Sequence, residues 1–174
     1  MQISVEIKDN GINTVLERMK RKGEDMPGAL RIVGERVLRQ TDARFTAQRD
    51  ADGRPWAPLK PATLKHKKNP MILTESHHLR DSIRSQVSGN VLRVGTNKVY
   101  GAIHQLGGTI KKASRSETFT RNRGSNGRFG KGTKAGRGFT FKAHGVTIAA
   151  RPFLGIGKDD SKDIVEVLTD WLEA

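Results

Sequence analysis

A chain of 174 residues without cysteine is long enough to bury a core, and it excludes disulfides, thiolate metal sites and cysteine nucleophiles together. Its 32 Lys and Arg against 18 Asp and Glu leave a net charge of +14, which points to an anionic partner such as nucleic acid or an acidic protein surface. No apolar run approaches the roughly 18 residues of a membrane span, and MQISVEIKDN lacks a signal peptide's apolar centre, so a soluble, unprocessed protein of a reducing cytoplasm is expected.

Ile3, Val5 and Ile7 alternate with Ser4, Glu6 and Lys8, the period of a strand with one buried face. Asp9-Asn10-Gly11 breaks it, and Ile12, Val15, Leu16 and Met19 then recur at helical spacing until Gly23. A second helix is predicted from about Asp25, with Pro27 where a missing N–H costs little and an apolar stripe of Leu30, Val33, Val37, Leu38, Thr41 and Phe45. From Gln48 to Ser76 the periodicity disappears, and Pro55, Pro58, Pro61 and Pro70 forbid a long regular element. Loops of that length are usually functional or disordered. Trp56 argues against disorder, because a large ring followed by Pro58 and Leu59 buries either in its own core or against a neighbouring subunit. Lys60, Lys65, His66, Lys67 and Lys68 read as a solvated basic run.

Leu79 to Gly108 is the densest block of ordered pattern. Ile83 and Val87 flank Arg84 and Gln86 at strand spacing, Ser88-Gly89-Asn90 supplies a tight turn, Val91 to Val94 returns, and Gly95-Thr96-Asn97 ends the hairpin. Val99 to Leu106 fits either a continued strand or a short helix. His104 invites a catalytic reading, as in a small nuclease, but a lone His beside Ile103 is more often a packed structural residue.

Residues 111 to 145 differ in kind. Ten Lys or Arg against Glu117 alone put +9 of the net charge there and leave +5 for the remainder of the chain. Gly124, Gly127, Gly130, Gly132, Gly136 and Gly138 raise the entropy of ordering, and of apolar bulk only Phe119, Phe129, Phe139 and Phe141 offset it. A mobile basic arm or an extended hairpin follows, with Lys111, Lys112, Arg115, Arg121, Arg123, Arg128, Lys131, Lys134 and Arg137 as candidate contacts to an anionic partner. That partner is DNA, with rings stacking on bases, or an acidic face of a neighbouring protein. Val146 and Ile148 then resume strand alternation into Arg151-Pro152-Phe153. Gly155 and Gly157 turn the chain, and Asp159, Asp160 or Ser161 can cap a last helix with the stripe Ile164, Val167, Leu168, Trp171 and Leu172.

Motifs of known chemistry fail on inspection. Gly127 to Thr133 lacks the leading glycine and the Ser or Thr after lysine that a phosphate loop needs. Gly155-Ile156-Gly157 has Asp160 where a dinucleotide fingerprint has its third glycine, and no G-x-S-x-G elbow is present. His66, His77, His78, His104 and His144 include no i, i+4 pair that would share a helical face for a metal. No cofactor, metal or catalytic residue is therefore assigned, and a non-enzyme is expected.

Taken in order, Arg44-Phe45, Gly53-Arg54-Pro55-Trp56-Ala57-Pro58-Leu59, Leu73-Thr74, Leu79-Arg80-Asp81-Ser82-Ile83, Val94-Gly95-Thr96-Asn97, Tyr100 to Gly107 and Arg151-Pro152-Phe153-Leu154-Gly155 resemble the phage virion morphogenesis family. These are also called tail completion proteins, of Mu-like and other tailed phages. The resemblance leaves out roughly residues 111 to 145, and it favours a short helical turn at Tyr100 to Gly107. The expected fold is α+β in one domain, residues 1–174: an antiparallel sheet from the opening strand, the central hairpin and the Val146 region, packed by the two N-terminal helices and the last helix. The resemblance implies a structural virion protein of the neck or tail end, assembled in the host bacterial cytoplasm as a homo-oligomeric ring, a hexamer by tail symmetry, that completes the tail and supports head–tail joining. Other neck, connector and tail-tube proteins, and DNA in the lumen, are its implied partners, with no membrane. Trp56, Leu59, Tyr100, His104, Gln105, Arg151 and Phe153 are the candidate neighbour contacts. A DNA-binding module using residues 111–145 is the alternative.

Overall fold

The computed structural model describes residues 10–22, 25–123 and 129–173, and within 116–139 it describes the backbone alone. The opening strand expected at Ile3 to Ile7 lies outside the described residues. By contact the chain divides into two compact units, one of residues 1–107 with 149–174 and one of Gly108–Ile148. The fold class is α+β, with helices packed on small antiparallel sheets.

In the first unit, helix α1 (Asn10–Lys22) places Met19 in the interior with Ile12, Val15 and Leu16 packed around it. Helix α2 (Met26–Ala47) starts at Asp25, whose carboxylate accepts the Gly28 N–H at 3.1 Å, with Pro27 in the first turn. Its 22 residues make it the spine. Helix α5 (Lys158–Glu173) lies against α1 and α2 through Ile164 and Leu168, and its Asp160 reaches back to the Gly157 N–H at 2.8 Å, the returning half of a capping box. Arg36 and Asp163 pair between α2 and α5, and the hydrogen bonds from Arg36 hold the Asp163 carboxyl below the usual range.

The central hairpin is strand β1 (Ile83–Ser88) and strand β2 (Val91–Thr96), with Ser88 opposite Val91 across the two-residue turn. Gly89 there takes φ +55°, which a side chain would strain. A single 3₁₀ turn, Arg80–Ser82, precedes β1, and β2 runs through Gly95 to Thr96 instead of stopping before it. The hairpin packs on α2, so Val87, Leu92 and Val94 join the α1–α2–α5 cluster. A second cluster forms further along α2 from Phe45, Trp56, Leu79, Ile83, Phe153 and Leu154.

The Val146 region does not join this hairpin, a correction to the single sheet expected above. It is strand β6 (His144–Ile148), paired antiparallel with strand β3 (Gly108–Lys112). Strands β4 (Arg115–Arg123) and β5 (Phe129–Phe141) pair likewise, and Arg115 opposite Phe141 keeps the register set by Lys112 opposite His144. Strands β3 and β4 thus run against β6 and β5 as a two-stranded ribbon, with register shifts between Glu117 and Phe119 and between Arg121 and Arg123. Sequence periodicity shows that a segment is a strand but not its partner, because any segment with matching alternation pairs equally well.

Candidate assembly site

Helix α4 (Gly101–Leu106) settles the ambiguity at Val99 to Leu106 in favour of a helix. Gly107 ends it at φ +72°, and a side chain there would come within 2.8 Å of the Ala150 nitrogen, so only glycine fits the close passage of the two backbones. The passage is fixed by the Arg151 N–H donating to the His104 carbonyl at 2.7 Å. Gln105 completes it from the buried side. Its amide oxygen accepts the Phe153 and Leu154 N–H groups, both at 3.0 Å, and its amide nitrogen donates to the Leu154 carbonyl at 2.7 Å.

The segment so held is gripped from two further directions. Arg44 donates to the Phe153 and Gly155 carbonyls and pairs with Asp160, joining the end of α2 to the start of α5. Arg151 donates through Nε to the Ala57 carbonyl at 2.7 Å and through Nη2 to the Pro58 carbonyl at 2.9 Å, while the Trp56 indole N–H donates to the Pro152 carbonyl at 2.8 Å. The Trp56 ring meets Phe45 edge-on, and Phe45 meets Phe153. The loop from Gln48 to Ser76, which holds one short helix, α3 (Pro61–Leu64), is ordered by this knot and by its own bonds. Gln48 bridges to Ile72, Asp50 accepts the Asp52 and Arg54 N–H groups, and Lys67 pairs with Glu75. The Lys65 to Lys68 run is therefore only partly solvated, Lys67 being half-buried.

The residues singled out in the sequence consequently fall into two groups. Trp56, Gln105, Arg151 and Phe153 are buried inside their own unit, Leu59 and His104 are half-buried, and Tyr100 is exposed. Burial pushes the His104 imidazole below its usual range and the positive charge of Arg151 pushes it further the same way. Its Nδ1 is buried without a hydrogen-bond partner, and no carboxylate pairs with Arg151 among the described residues. No group of three or more His, Asp or Glu among the described residues could hold a metal, and no helix among them is long and apolar enough to cross a membrane.

The first unit also presents apolar side chains outward about α4. Val99 is 81% exposed, Leu106 70% and Tyr100 43%, clustered in sequence about α4, with the Tyr100 ring edge-on to His104. A cleft of about 230 Å³ opens between α2, the 3₁₀ turn and β1, with a mostly polar surface to which Asp42, Arg80, Asp81 and Arg84 contribute, Phe45 and Thr41 being covered. Sequence reading missed both features. Leu106 offered a faint signal, an apolar residue directly before Gly107-Gly108.

In the ribbon, Lys111, Lys112 and Arg115 are exposed, Arg115 lies 4.9 Å over the Phe141 ring, and the cross-strand pair Ile110 and Val146 is exposed too. Thr109 and Thr147 bridge the strands through their hydroxyls at 3.1 Å. The side chains of Arg121, Arg123, Arg128, Lys131, Lys134 and Arg137 lie outside the described residues.

Exposed apolar side chains about α4, and ribbon side chains that are nearly all exposed where they are described, are features of structural proteins rather than of a ligand-binding cleft. The chain belongs to the phage virion morphogenesis family, which matches residues 7–173 and so spans the ribbon as well as the body. A relative, the Mu-like prophage FluMu G protein 2 of Haemophilus influenzae, is 30% identical over 173 residues, covering 98% of this chain and 96% of the relative. No solved structure matches the chain. Membership makes this a virion-associated protein with a part in virion assembly.

Proposed function

We propose that the protein is a structural component of the neck or tail end of a tailed phage. Copies of it form a ring that completes the tail and supports head–tail joining. On this reading six copies match tail symmetry, the neighbours are connector, neck and tail-tube proteins, and Lys111, Lys112, Arg115 and the other basic ribbon residues face an anionic surface. The observation that carries the reading is the ribbon of Gly108–Ile148. A two-stranded ribbon is marginal in water on its own, and β3 and β6 expose nearly every side chain, so a neighbouring molecule that covers it is the natural source of its order. The family's part in virion assembly agrees with such a neighbour.

The second reading, a DNA-binding module, is favoured by the +9 of residues 111–145. It requires binding that weakens steeply with salt. The nuclease reading of His104 receives no support, because no acidic partner or metal group stands beside that imidazole among the described residues.

The test is to trim Ser114 to Lys142 and ask for infectious particles in cells that depend on this copy. The trimmed protein is expected to keep its body folded, by circular dichroism and thermal melting, while particle yield collapses. Normal particles from trimmed protein would remove the ribbon from the mechanism.

A further inference from the structure

We infer that the basic ribbon of one copy docks on the outer, acidic face of α5 in the next copy, with Lys112 and Lys142 of the first set against Glu166, Asp170 and Glu173 of the second. The inference deepens the ring reading and rests on it.

Charge is spread unevenly along the chain. Helix α5 holds six Asp and Glu against two Lys, a net −4, while α1 is +3, α2 is +2 and α3 and α4 carry none. It is the one acidic helix among the described residues, in a chain whose strongest positive segment is the ribbon, with +9 in residues 111–145. Part of the acid is used within the copy. Asp160 pairs with Arg44, Asp163 with Arg36, and Asp159 lies 3.9 Å from Lys162. Glu166, Asp170 and Glu173 are exposed and form no ion pair among the described residues. At i, i+4 and i+7 they share one face of the helix, opposite the buried Ile164 and Leu168. Trp171, 36% exposed, flanks that face.

The ribbon offers the complement. Strand alternation puts Lys112 and His144, which stand opposite each other, on the same face as the exposed apolar pair Ile110 and Val146. The His144 ring contacts the Lys142 carbonyl at 3.0 Å, and Lys142 is exposed beside it. Lys112 and Lys142 have no carboxylate paired to them among the described residues. Cations bordering apolar side chains suit a protein surface, where burial supplies affinity and charge sets register. A phosphate backbone answers the lysines but has nothing to cover Ile110 and Val146, whereas a helix with Trp171 beside its acids does. Ribbon and α5 belong to different units, so the contact joins two different patches and is heterologous, as a closed ring requires.

Two full-length variants test the contact, Lys112→Glu with Lys142→Glu and Glu166→Lys with Asp170→Lys. Each is checked for folding by circular dichroism and thermal melting, and its mass is followed by light scattering. Each alone should need about tenfold or more protein to reach the wild-type assembled species, because attraction at several pairs becomes repulsion. An equimolar mixture should assemble again, since each variant then presents the face that the other requires. If the α5 reversal melts early, Glu166→Gln with Asp170→Asn takes its place, with the same loss expected. Recovery when all four changes are in one chain, without recovery in the mixture, would put the ribbon on α5 of its own copy and overturn the contact between copies. An α5 variant that assembles as wild type would overturn it too, and loss of binding to a DNA duplex in the ribbon variant alone would then make DNA the ribbon's partner. Wild-type assemblies in either case leave the ring reading intact. Wild-type protein that stays monomeric at every concentration would also overturn the contact, and the particle assay above would then decide the ring reading separately.

Discussion

Replacing Gln105 by Leu removes both ends of a buried amide that satisfies the Phe153 and Leu154 N–H groups and the Leu154 carbonyl. Each such backbone group left buried and unpaired costs about 1–3 kcal/mol. The leucine returns about 1–2 kcal/mol through its own apolar burial. A net loss of about 4 kcal/mol follows, a large part of the roughly 5–15 kcal/mol that holds a domain together. Urea unfolding followed by tryptophan fluorescence reads it directly, because Trp56 donates to Pro152 in the same segment. With a slope of about 1–3 kcal/mol per molar, the midpoint should fall by more than about 1 M. Gln105→Glu sharpens the test. As a neutral acid it can donate to the Leu154 carbonyl and still accept both N–H groups, but as a carboxylate it faces that carbonyl with no proton to give. Its folded pKa is therefore raised, and the variant should match wild type in acid and fall behind as pH rises through that pKa. Gln105→Leu within about 1 kcal/mol of wild type would refute the account of the knot.

Arg44→Met leaves Asp160 and two carbonyls without their cation, and should cost about 3–5 kcal/mol by the same unfolding assay. Gly157→Ala should lower the thermal midpoint sharply, since a side chain there would fall 1.9 Å from the Ala51 carbonyl oxygen and force backbone to move. His104 titrates below its ordinary 6.5 in the folded state, so the unfolded chain binds the proton first and its contribution is lost as pH falls through that range. His104→Phe should flatten the decline in urea midpoint as pH falls through and below the ordinary imidazole range, and an unchanged slope would show that other groups cause it.

The helices were legible because burial repeats with the turn. Leu30, Val33, Val37, Thr41 and Phe45 lie on the buried side of α2 as their spacing requires, and Gly89-Asn90 marks the hairpin turn. The knot was not legible. Arg44 and Gln105 act on backbone groups 109 and 49 residues away, and a bond to a carbonyl leaves no trace in the identity of the residue that owns it. The exposure of Val99 and Tyr100 was equally hidden, since apolar residues near a helix start read as core until the neighbouring elements are placed. Of the residues named as contacts, Trp56, Gln105, Arg151 and Phe153 supply the rigid mounting and Tyr100 the exposed tip.

The knot also orders events in time. Its partners at Arg44, Trp56 and Gln105 are made early, but the backbone they hold, from Arg151 to Asp160, leaves the ribosome only after the whole ribbon has been synthesised. The body is therefore rich in distant contacts, which slows closure and puts it after synthesis. A chain broken off before Arg151 cannot close the knot or bring α5 against α1. Closure of the knot and packing of α5 are therefore lost together in any chain that stops short of Arg151.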